Sequence, residues 1–372
     1  MISISLCMIV KDEEETLKRC LESAAGVADE IIIVDTGSAD RTKTVAKAYT
    51  PHVLDFEWQD DFAAARNYAF SQATKDYIFW LDADDVLLPP DKEKLIALKR
   101  TLDPAVDAVS MDYHIARDKH GNPVTSIRRF RLVKRSRKYR WQGAVHEMLL
   151  VSGRIWNSDI AVTHKKERRM TDRNLQIYEK RLREGKPFSP QDLFHFAREL
   201  HQFGRLEEAV EHYTAFLDRS GPSPENRICA LQQLADCYHR LGQTDKEFSA
   251  TFESFQYDIP RPESCCRLGY HFLQKDAYRQ AVYWYKQALA FPVEPGSWVI
   301  VNQTSRTLLP HIQLALCYYR LGQYAESYYH NKQALTYSPD DPAILNNLLV
   351  LEQLLKDGKE RTGAAAEEKA GD

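Results

Sequence analysis

The stretch Tyr77-Ile78-Phe79-Trp80-Leu81-Asp82-Ala83-Asp84-Asp85 decides the fold of this chain. Its first five residues are aromatic or aliphatic, which is typical of a strand buried on both faces of a parallel sheet. Three carboxylates follow at the carboxyl end, where open α/β sheets bind their ligands. Because crowded carboxylates repel one another unless a cation offsets their charge, the stretch predicts a divalent metal at the mouth of a nucleotide-binding sheet.

Strand and helix patterns alternate around this stretch through residues 1–90. The order predicts a mainly parallel, doubly wound α/β sheet flanked by helices. We predict strands over Ile2–Val10, Glu30–Val34, Val53–Phe56 and Asp76–Leu81, and helices over Lys11–Ala25, Thr42–Tyr49 and Phe62–Ala73.

Polar clusters follow three of these strands, at Lys11–Glu13, Asp35–Asp40 and Asp82–Asp85. Because the carboxyl ends of parallel strands share one rim, we expect the clusters to converge. The chain has neither a G-x-G-x-x-G nor a G-x-x-x-x-G-K-[ST] motif, so dinucleotide and P-loop sites lack their phosphate-binding loops. A metal and basic side chains would have to hold a diphosphate instead.

The pattern changes after a helix that ends at Leu102. Strand-like runs follow over Ala108–Arg117, Ser126–Val133 and Arg154–His164, with a turn at 120–123, and we expect them to add to the sheet in antiparallel fashion as the acceptor side of the cleft. A solvated edge ribbon and a binding surface for diphosphate or an acidic acceptor explain the basic character of this region equally well. The basic residues are Arg128, Arg129, Arg131, Lys134, Arg135, Arg137, Lys138 and Arg140.

Length and composition limit the remaining possibilities. The 372 residues suggest two domains, or one domain and an array. The net charge of −3 gives no general electrostatic reason to bind nucleic acid. No apolar run approaches the roughly 20 residues that span a bilayer, and Met1–Val10 is predicted to be a strand rather than a signal peptide. Seven scattered cysteines without C-x-x-C favour reduced thiols and a cytoplasmic protein.

Four stretches together resemble the family 2 glycosyltransferases of the nucleotide-sugar-binding type. They occur in the order and spacing of that family, and the resemblance covers residues 1–165. The subgroup with Trp-x-Gly-x-x-His-Glu and a helical-repeat tail is the most similar, and it includes lipopolysaccharide-core sugar transferases and peptide S-glycosyltransferases of the sublancin type. The matching stretches are Leu6–Glu14, Val34–Asp40, Ala65-Arg66-Asn67 and Asp82–Asp85.

The resemblance implies a glycosyltransferase A-type fold, a nucleotide-sugar donor and Mn²⁺ or Mg²⁺. Glu13 and Asp35 would contact the uracil or ribose of the donor, and Arg66 would lie near its diphosphate. Asp82 and Asp84 would form the D-x-D motif, with Asp84 nearest the metal and Asp82 near the ribose or a metal-bound water. Thr36 stands where most relatives have a second Asp, and the usual acceptor-side Glu-Asp pair is not evident.

An inverting transfer also needs a base that takes a proton from the acceptor. Glu147 is our candidate for this base, with Asp85 in reserve. His146 or His164 would complete the metal shell from the acceptor side, as a His does in many such enzymes.

Each of these roles has a plainer alternative. The three carboxylates at 82–85 could cap the next segment, and His146 could equally be a packed core histidine. The remaining alternatives are a salt-bridge partner for Glu147, turn and cap residues for Asp35 and Asp40, and a surface ion pair for Arg66.

The second half of the chain has helical patterns throughout. We predict a connecting helix over 166–186, tetratricopeptide-like repeats over 187–358 and a disordered tail over 359–372. Recurring Leu-Gly turns, small residues and aromatic residues on each second helix indicate the repeats. Such arrays suit binding of a peptide or protein acceptor, and dimerisation of the enzyme is an equally good explanation.

Together these features predict a cytoplasmic, bacterial-type inverting glycosyltransferase that moves a hexose from a UDP-linked donor to an acceptor such as a peptide or protein side chain. One alternative is a saccharide or lipid-linked acceptor in envelope polysaccharide synthesis. An alternative from another class is an inactive repeat scaffold that binds proteins. The complete carboxylate motif argues against this alternative. The expected partners are the donor, an acceptor bound through the repeats and a second copy of the chain, but no nucleic acid and no membrane segment.

Overall fold

The structure, a computed structural model, describes residues 1–118, 121, 123–165, 171–292, 298–299 and 302–368, and over 358–368 it describes the backbone alone. The chain divides into two compact units. The described residues within 1–116, 126–248 and 295–298 form the first unit, and those within 117–125, 249–294 and 299–372 form the second. The boundaries at 165, 186 and 358 that the sequence predicts stay predictions.

The first unit is built on an eight-stranded sheet with the order β3-β2-β1-β4-β7-β6-β10-β5, and β8 and β9 form a separate two-stranded ribbon. The strands are β1 Ile4–Val10, β2 Glu30–Asp35, β3 Val53–Asp55, β4 Tyr77–Trp80, β5 Asp85–Val86, β6 Ala108–Arg117, β7 Pro123–Lys134, β8 Trp141–Gln142, β9 Met148–Leu149 and β10 Ile155–His164.

Strand β4 lies inside the sheet and is buried along its whole length. Because successive side chains of a strand point to opposite faces, Tyr77 and Phe79 pack in one hydrophobic cluster while Ile78 and Trp80 pack in the other. Strands β1, β2, β3 and β4 pair in parallel, as the sequence predicts.

The second half of the sheet is only partly antiparallel, which corrects one expectation. Strand β7 pairs antiparallel with β4, but β10 pairs parallel with β6. The reason lies at the start of β10, where the amide of Asp107 donates to the Arg154 carbonyl and the amide of Arg154 donates to the Asp107 carboxylate. These bonds place the first residues of β6 and β10 side by side.

Helices cover the sheet and continue after it. The first unit contains α1 Leu17–Ser23, α2 Thr42–Lys47, α3 Phe62–Ser71, α4 Pro89–Thr101, α5 Arg173–Arg183, α6 Pro190–Gln202, α7 Leu206–Leu217, α8 Pro224–Arg240 and the first part of α9 Thr244–Glu253. Residues 166–170 of the predicted connecting helix, and 119, 120 and 122 near the predicted turn, lie outside the described residues. Helix α6 begins at a capping box in which Ser189 and Asp192 satisfy each other's backbone amides.

The second unit is helical apart from the ends of β6 and β7. Its core joins small and aromatic residues of successive helices, among them Cys265, Ala281, Tyr285 and Tyr318. Its helices are the end of α9, α10 Pro262–Gln274, α11 Tyr278–Ala290, α12 Gln303–Arg306, α13 Leu308–Arg320, α14 Tyr324–Tyr337 and α15 Pro342–Glu368. The predicted fold class, α/β followed by all-α, is confirmed.

The last helix is longer than the sequence predicts. It continues to Glu368, into the segment over 359–372 that the sequence predicts as a tail, because the Ala- and Glu-rich segment favours helix. Residues 369–372 of the predicted tail lie outside the described residues. In the part of the chain that the structure describes, no helix combines the length and apolarity needed to cross a bilayer. All seven cysteines are free thiols.

Candidate active site

A cavity of about 340 Å³ opens in the first unit at the carboxyl ends of β1 and β4. Its lining combines cations, carboxylates and aromatic rings, which suits a polar ligand with both charged and flat parts. The charged lining residues are Lys11, Glu13, Arg66, Asp82, Asp84, Arg129, Arg131, Glu147 and Arg173, and the aromatic ones include Trp58, Trp80, Tyr113 and Trp141.

Arg66 joins two carboxylates at this cavity. Its Nη2 lies 2.6 Å from Asp82 Oδ1, and its Nε lies 2.5 Å from Glu147 Oε1. The guanidinium also lies 4.8 Å from the Trp80 ring and 4.9 Å from the Trp141 ring. Burial raises the pKa of Asp82, but the positive charges of Arg66 and Arg131 outweigh it and lower the pKa to about 2. Asp82 is therefore a carboxylate at neutral pH.

Helix α3 places Arg66 at this position. Asp61 caps the helix by accepting a hydrogen bond from the Ala64 amide at 2.9 Å. One turn further, Asn67 donates to the Trp141 carbonyl at 3.0 Å and accepts from the Trp141 amide at 2.9 Å. At the start of the helix, the Phe62 amide donates to the Ala144 carbonyl at 2.8 Å, so the helix and the segment that leads to Glu147 are held together on both sides of Arg66.

Asp84, Asp85 and His164 form a second group, in which each residue offers a ligand atom within 4.8 Å of the others. The pairing of β10 with β5 creates it, because His164 lies opposite Asp85 in that ladder. His164 Nδ1 lies 3.4 Å from Asp84 Oδ1, 3.5 Å from Asp85 Oδ1 and 3.0 Å from the Tyr113 hydroxyl. Burial lowers the pKa of His164, but the contacts with the two carboxylates outweigh this and raise it to about 9.

This second group fits a divalent cation. Asp85 is fully buried, and among the described residues its Oδ1 has only the long 3.5 Å contact with His164 Nδ1, whereas its Oδ2 lies 3.0 Å from Arg131 and accepts from the Asp82 amide. A buried carboxylate oxygen without a close donor is costly, and a cation at that oxygen would offset the cost. Mn²⁺ binds both carboxylate and imidazole ligands, whereas Mg²⁺ binds mainly the carboxylate oxygens.

The structure places two of the predicted metal ligands elsewhere. Asp82 contacts Arg66, and His146 Nε2 lies 2.7 Å from Glu199 Oε1 on α6. The His146 ring stacks on the His195 ring at 4.4 Å, and His146 has a φ of 51°. Asp84 and His164 lie close together, with Asp85 as the third member of the group, and their role as metal ligands stays a prediction.

The two predicted donor-binding carboxylates follow β1 and β2. Glu13 lines the cavity and accepts a hydrogen bond from the Thr16 hydroxyl at 2.5 Å. Asp35 is buried, and its Oδ1 accepts from the amides of Gly37 and Ser38 at 2.9 Å. Its Oδ2 has no hydrogen-bond partner within the described ranges. The register of β1 and β2 places Asp35 opposite Val10, so both carboxylates lie at the same rim.

Several other residues line the cavity. From the sequence, Arg129 and Arg131 were noted only as members of a basic run that could bind a diphosphate, and Tyr113, Arg173 and Asn174 were not identified. Tyr113, Arg129 and Arg131 come from β6 and β7, and Arg173 and Asn174 come from α5. The alternation of Arg129 and Arg131 was the available signal, since residues two apart share one face of a strand. Helix α5 gave no such signal. Its sequence contains no recognisable motif, so it did not indicate which surface of the protein the helix covers.

Comparison with known proteins supports the family assignment. Residues 5–155 match the model of the family described as glycosyl transferase family 2. The SPbeta prophage-derived glycosyltransferase SunS of Bacillus subtilis is 30% identical over 225 residues, which are 56% of this chain and 52% of SunS. The lipopolysaccharide core biosynthesis glycosyltransferase LpsC of Rhizobium meliloti is 29% identical over 164 residues, which are 42% of this chain and 60% of LpsC.

A third relative is named for its tetratricopeptide repeats. A TPR repeat-containing protein of Synechococcus elongatus is 51% identical over 88 residues, which are 24% of this chain and 22% of that protein. The chain spans less than two thirds of the length of each of these three relatives. The family resemblance inferred from the sequence, with its helical repeats, is confirmed.

Proposed function

We propose that this chain transfers a hexose, with inversion, from a nucleoside diphosphate sugar to an acceptor, since residues 5–155 match the glycosyl transferase family 2 model. We infer UDP as the nucleotide. The observation that carries the proposal is the group of Asp84, Asp85 and His164 beside a cavity lined by arginine side chains. Such a site suits a diphosphate, which needs both a cation and N–H donors.

Asp84, Asp85 and His164 are the residues that would hold Mn²⁺ or Mg²⁺. When bound, the ion would neutralise charge that develops on the leaving diphosphate. Asp85 thus leaves our list of candidate bases, since it is fully buried and paired with Arg131. Asp82 and Arg66 would position the donor, and Glu13 and Asp35 would contact its nucleoside part.

Glu147 is the residue that we propose as the general base. Its side chain is 11% exposed, lines the cavity and is held by Arg66 Nε. A base must lie within reach of the acceptor hydroxyl or thiol and keep a fixed orientation, and the contact with Arg66 supplies the orientation. In the transfer the acceptor atom bonds to the anomeric carbon, the C–O bond to the diphosphate breaks, and Glu147 takes the acceptor proton.

The acceptor is the part of the proposal that the catalytic residues do not identify. Helical repeats bind peptides and protein surfaces, which favours a polypeptide acceptor, and dimerisation is their other proposed role. A saccharide or lipid-linked acceptor is the second candidate, because LpsC is a lipopolysaccharide core biosynthesis glycosyltransferase. Seven free thiols favour a cytoplasmic location, where cysteines stay reduced.

Thermal denaturation with UDP and MnCl₂ tests the metal and the nucleotide together. We expect a higher melting temperature for the wild type, because a ligand that binds only the folded state stabilises it. Asp84→Ala should lose the shift, whereas Glu15→Gln, at an exposed carboxylate near the same rim, should retain it. A wild type without a shift, or an equal shift for Asp84→Ala, would contradict the metal–nucleotide site.

Release of UDP from a panel of UDP-sugars tests the base. Glu147→Gln should bind UDP as the wild type does and hydrolyse the donor far more slowly, by roughly 100- to 10,000-fold, which is the usual contribution of a general base. Turnover at the wild-type rate would remove Glu147 from the mechanism.

A further inference from the structure

Arg131 on β7 is a buried cation with unused hydrogen-bond donors. Its side chain is 1% exposed. Nη1 lies 3.0 Å from Asp85 Oδ2 and 3.3 Å from the Trp80 carbonyl, but Nε and Nη2 have no partner in the part of the chain that the structure describes. Leaving buried charged donors unpaired costs free energy, so their presence at a cavity points to a ligand that accepts hydrogen bonds.

Two aromatic rings hold this guanidinium in place. Its Cζ lies 3.8 Å from the Trp80 ring centroid and 4.5 Å from the Tyr113 ring centroid. Cation–π contacts of this kind fix the plane of the group and stabilise its charge without using its N–H donors. Since Arg131 is one of the residues that line the cavity, the two rings hold its guanidinium next to that space.

Arg128, three residues earlier on the same strand, is a buried arginine whose hydrogen bonds can be compared with those of Arg131. Each of its three nitrogens has a partner. These partners are the Ser110 hydroxyl for Nε, Asp112 for Nη1, and the carbonyls of Ser110 and Ser158 for Nη2. The residue lies on the opposite face of the strand from Arg131 and is absent from the cavity lining. The unused donors of Arg131 are therefore specific to the face that lines the cavity.

Arg129 adds a second cation on that face. It lies two residues from Arg131, so both side chains point the same way, and it also lines the cavity. Burial and the nearby charge of Arg131 lower the pKa of Arg129. Two neighbouring guanidinium groups repel each other, and an anion between them would relieve the repulsion.

We propose that Arg131 and Arg129 form an oxyanion subsite that binds the terminal phosphate of the nucleoside diphosphate. Arg131 contacts Asp85, a member of the candidate metal group, so its unused donors lie beside the place where the cation would hold the same diphosphate. The planar N–H fork of arginine matches phosphate oxygens, unlike a single ammonium group. The inference rests on the proposed function and deepens it.

This placement gives the two arginines a part in the transfer. As the bond between the anomeric carbon and the phosphate oxygen breaks, its electron pair stays on that oxygen, and the negative charge on the diphosphate grows. N–H donors that are already oriented toward this charge stabilise the transition state more than the ground state.

Calorimetric titration with UDP and with UMP, in the presence of MgCl₂, tests the subsite. Arg131→Gln and Arg129→Gln should each weaken UDP binding, on the order of tenfold to a hundredfold, while UMP binding stays close to that of the wild type. Arg140→Gln is the matched control, because Arg140 is an exposed arginine of the same basic run outside the cavity, and it should bind both nucleotides normally. Unchanged UDP affinity in both cavity variants would overturn the inference.

Two further comparisons keep the result unambiguous. Arg131→Gln leaves Asp85 without its cation and could therefore unfold at a lower temperature. In that case Arg129→Gln is the deciding variant, because it removes no ion pair or hydrogen bond with another described side chain. If both variants lose affinity for UDP-glucuronate but not for UDP or UDP-glucose, the two arginines bind a carboxylate on the sugar. The assignment to the phosphate would then be wrong. A wild type that binds no UDP would instead contradict the proposed donor.

Discussion

His146 Nε2 lies 2.7 Å from Glu199 Oε1, so helix α6 holds the loop that presents Glu147 to the cavity. The Asn174 amide donates to the same Glu199 oxygen at 3.3 Å, and Gln191 donates to the His146 carbonyl at 2.8 Å. Glu147 in turn contacts Arg66, and Arg66 contacts Asp82. One continuous set of polar contacts thus joins the start of the helical region to the end of β4.

We expect Glu199→Ala to lower donor turnover without weakening UDP binding. The substitution leaves a partly buried imidazole without its acceptor, which costs about 1–3 kcal/mol and loosens the segment that carries the base. Glu199→Gln keeps an oxygen that can accept from His146 and should recover most of the turnover. The measurement is kcat and KM for UDP release from the preferred UDP-sugar.

The matched control is Glu207→Ala, at an exposed carboxylate on α7, which should behave as the wild type. If Glu199→Ala kept the wild-type kcat, or if Glu199→Gln were as impaired as Glu199→Ala, the contact with His146 would not position the base.

Arg66→Met should destabilise the first unit by about 1–3 kcal/mol, because it leaves Glu147, whose side chain is 11% exposed, and Asp82, whose side chain is 34% exposed, without their shared cation. Arg66→Lys should recover only part of this, since one ammonium group cannot make both contacts as the guanidinium fork does. Urea unfolding measures the loss.

Arg41→Met provides the comparison, because Arg41 forms an ion pair with Glu14 but its side chain is 82% exposed. Exposed pairs contribute at most about 1 kcal/mol, so this variant should unfold close to the wild type. Equal effects at Arg41 and Arg66 would show that burial does not set the cost.

The sequence predicted the parts of this site that depend on local pattern. Apolar runs that end in polar clusters identified β1, β2 and β4, and hence the rim with Glu13, Asp35 and Asp82. The approach of His164 to Asp85 depends instead on the pairing of β10 with β5, between segments about 80 residues apart, which no local pattern encodes.

The burial of Arg131 could not be predicted from local sequence patterns either. In the sequence Arg131 is one basic residue among eight, and the two-residue spacing between Arg129 and Arg131 also relates Arg135 to Arg137, both of which are exposed. Its burial follows from the positions of Trp80 and Tyr113 on neighbouring strands. Burial and pairing of a charged side chain are properties of the assembled sheet, so they required the structure.

Gly269→Ala should destabilise the second unit, although alanine in a helix interior usually stabilises by up to about 1 kcal/mol. A Cβ atom at Gly269 on α10 would lie 2.8 Å from two ring atoms of Tyr285 on α11. Tyr285 is buried, so the ring cannot move away without disturbing its neighbours, and we expect a net loss of about 1–3 kcal/mol.

A double-mutant cycle with Tyr285→Leu checks this explanation. In the Tyr285→Leu background the clash is removed, so Gly269→Ala should be neutral or stabilising in urea unfolding. An equal loss in both backgrounds would mean that the ring contact is not the cause.

His311 and His330 make the second unit less stable in acid. Their Nδ1 atoms lie 2.9 Å apart, so one ring donates and the other accepts, and at least one must be neutral. Burial, together with the charges of His311 and Lys286, lowers the pKa of His330 to about 4, and burial also lowers the pKa of His311. In the unfolded chain a histidine has a pKa of about 6.5.

Between about pH 6.5 and pH 4 the unfolded chain therefore binds a proton that the folded chain excludes, so the free energy of unfolding falls as the pH is lowered through this window. The contribution of His330 is at most about 3 kcal/mol. Urea unfolding across this range should show a shallower pH slope for His330→Asn than for the wild type, while His52→Gln, at an exposed histidine, should keep the wild-type slope. If His330→Asn and the wild type had the same slope, the buried pair would not cause the sensitivity to acid.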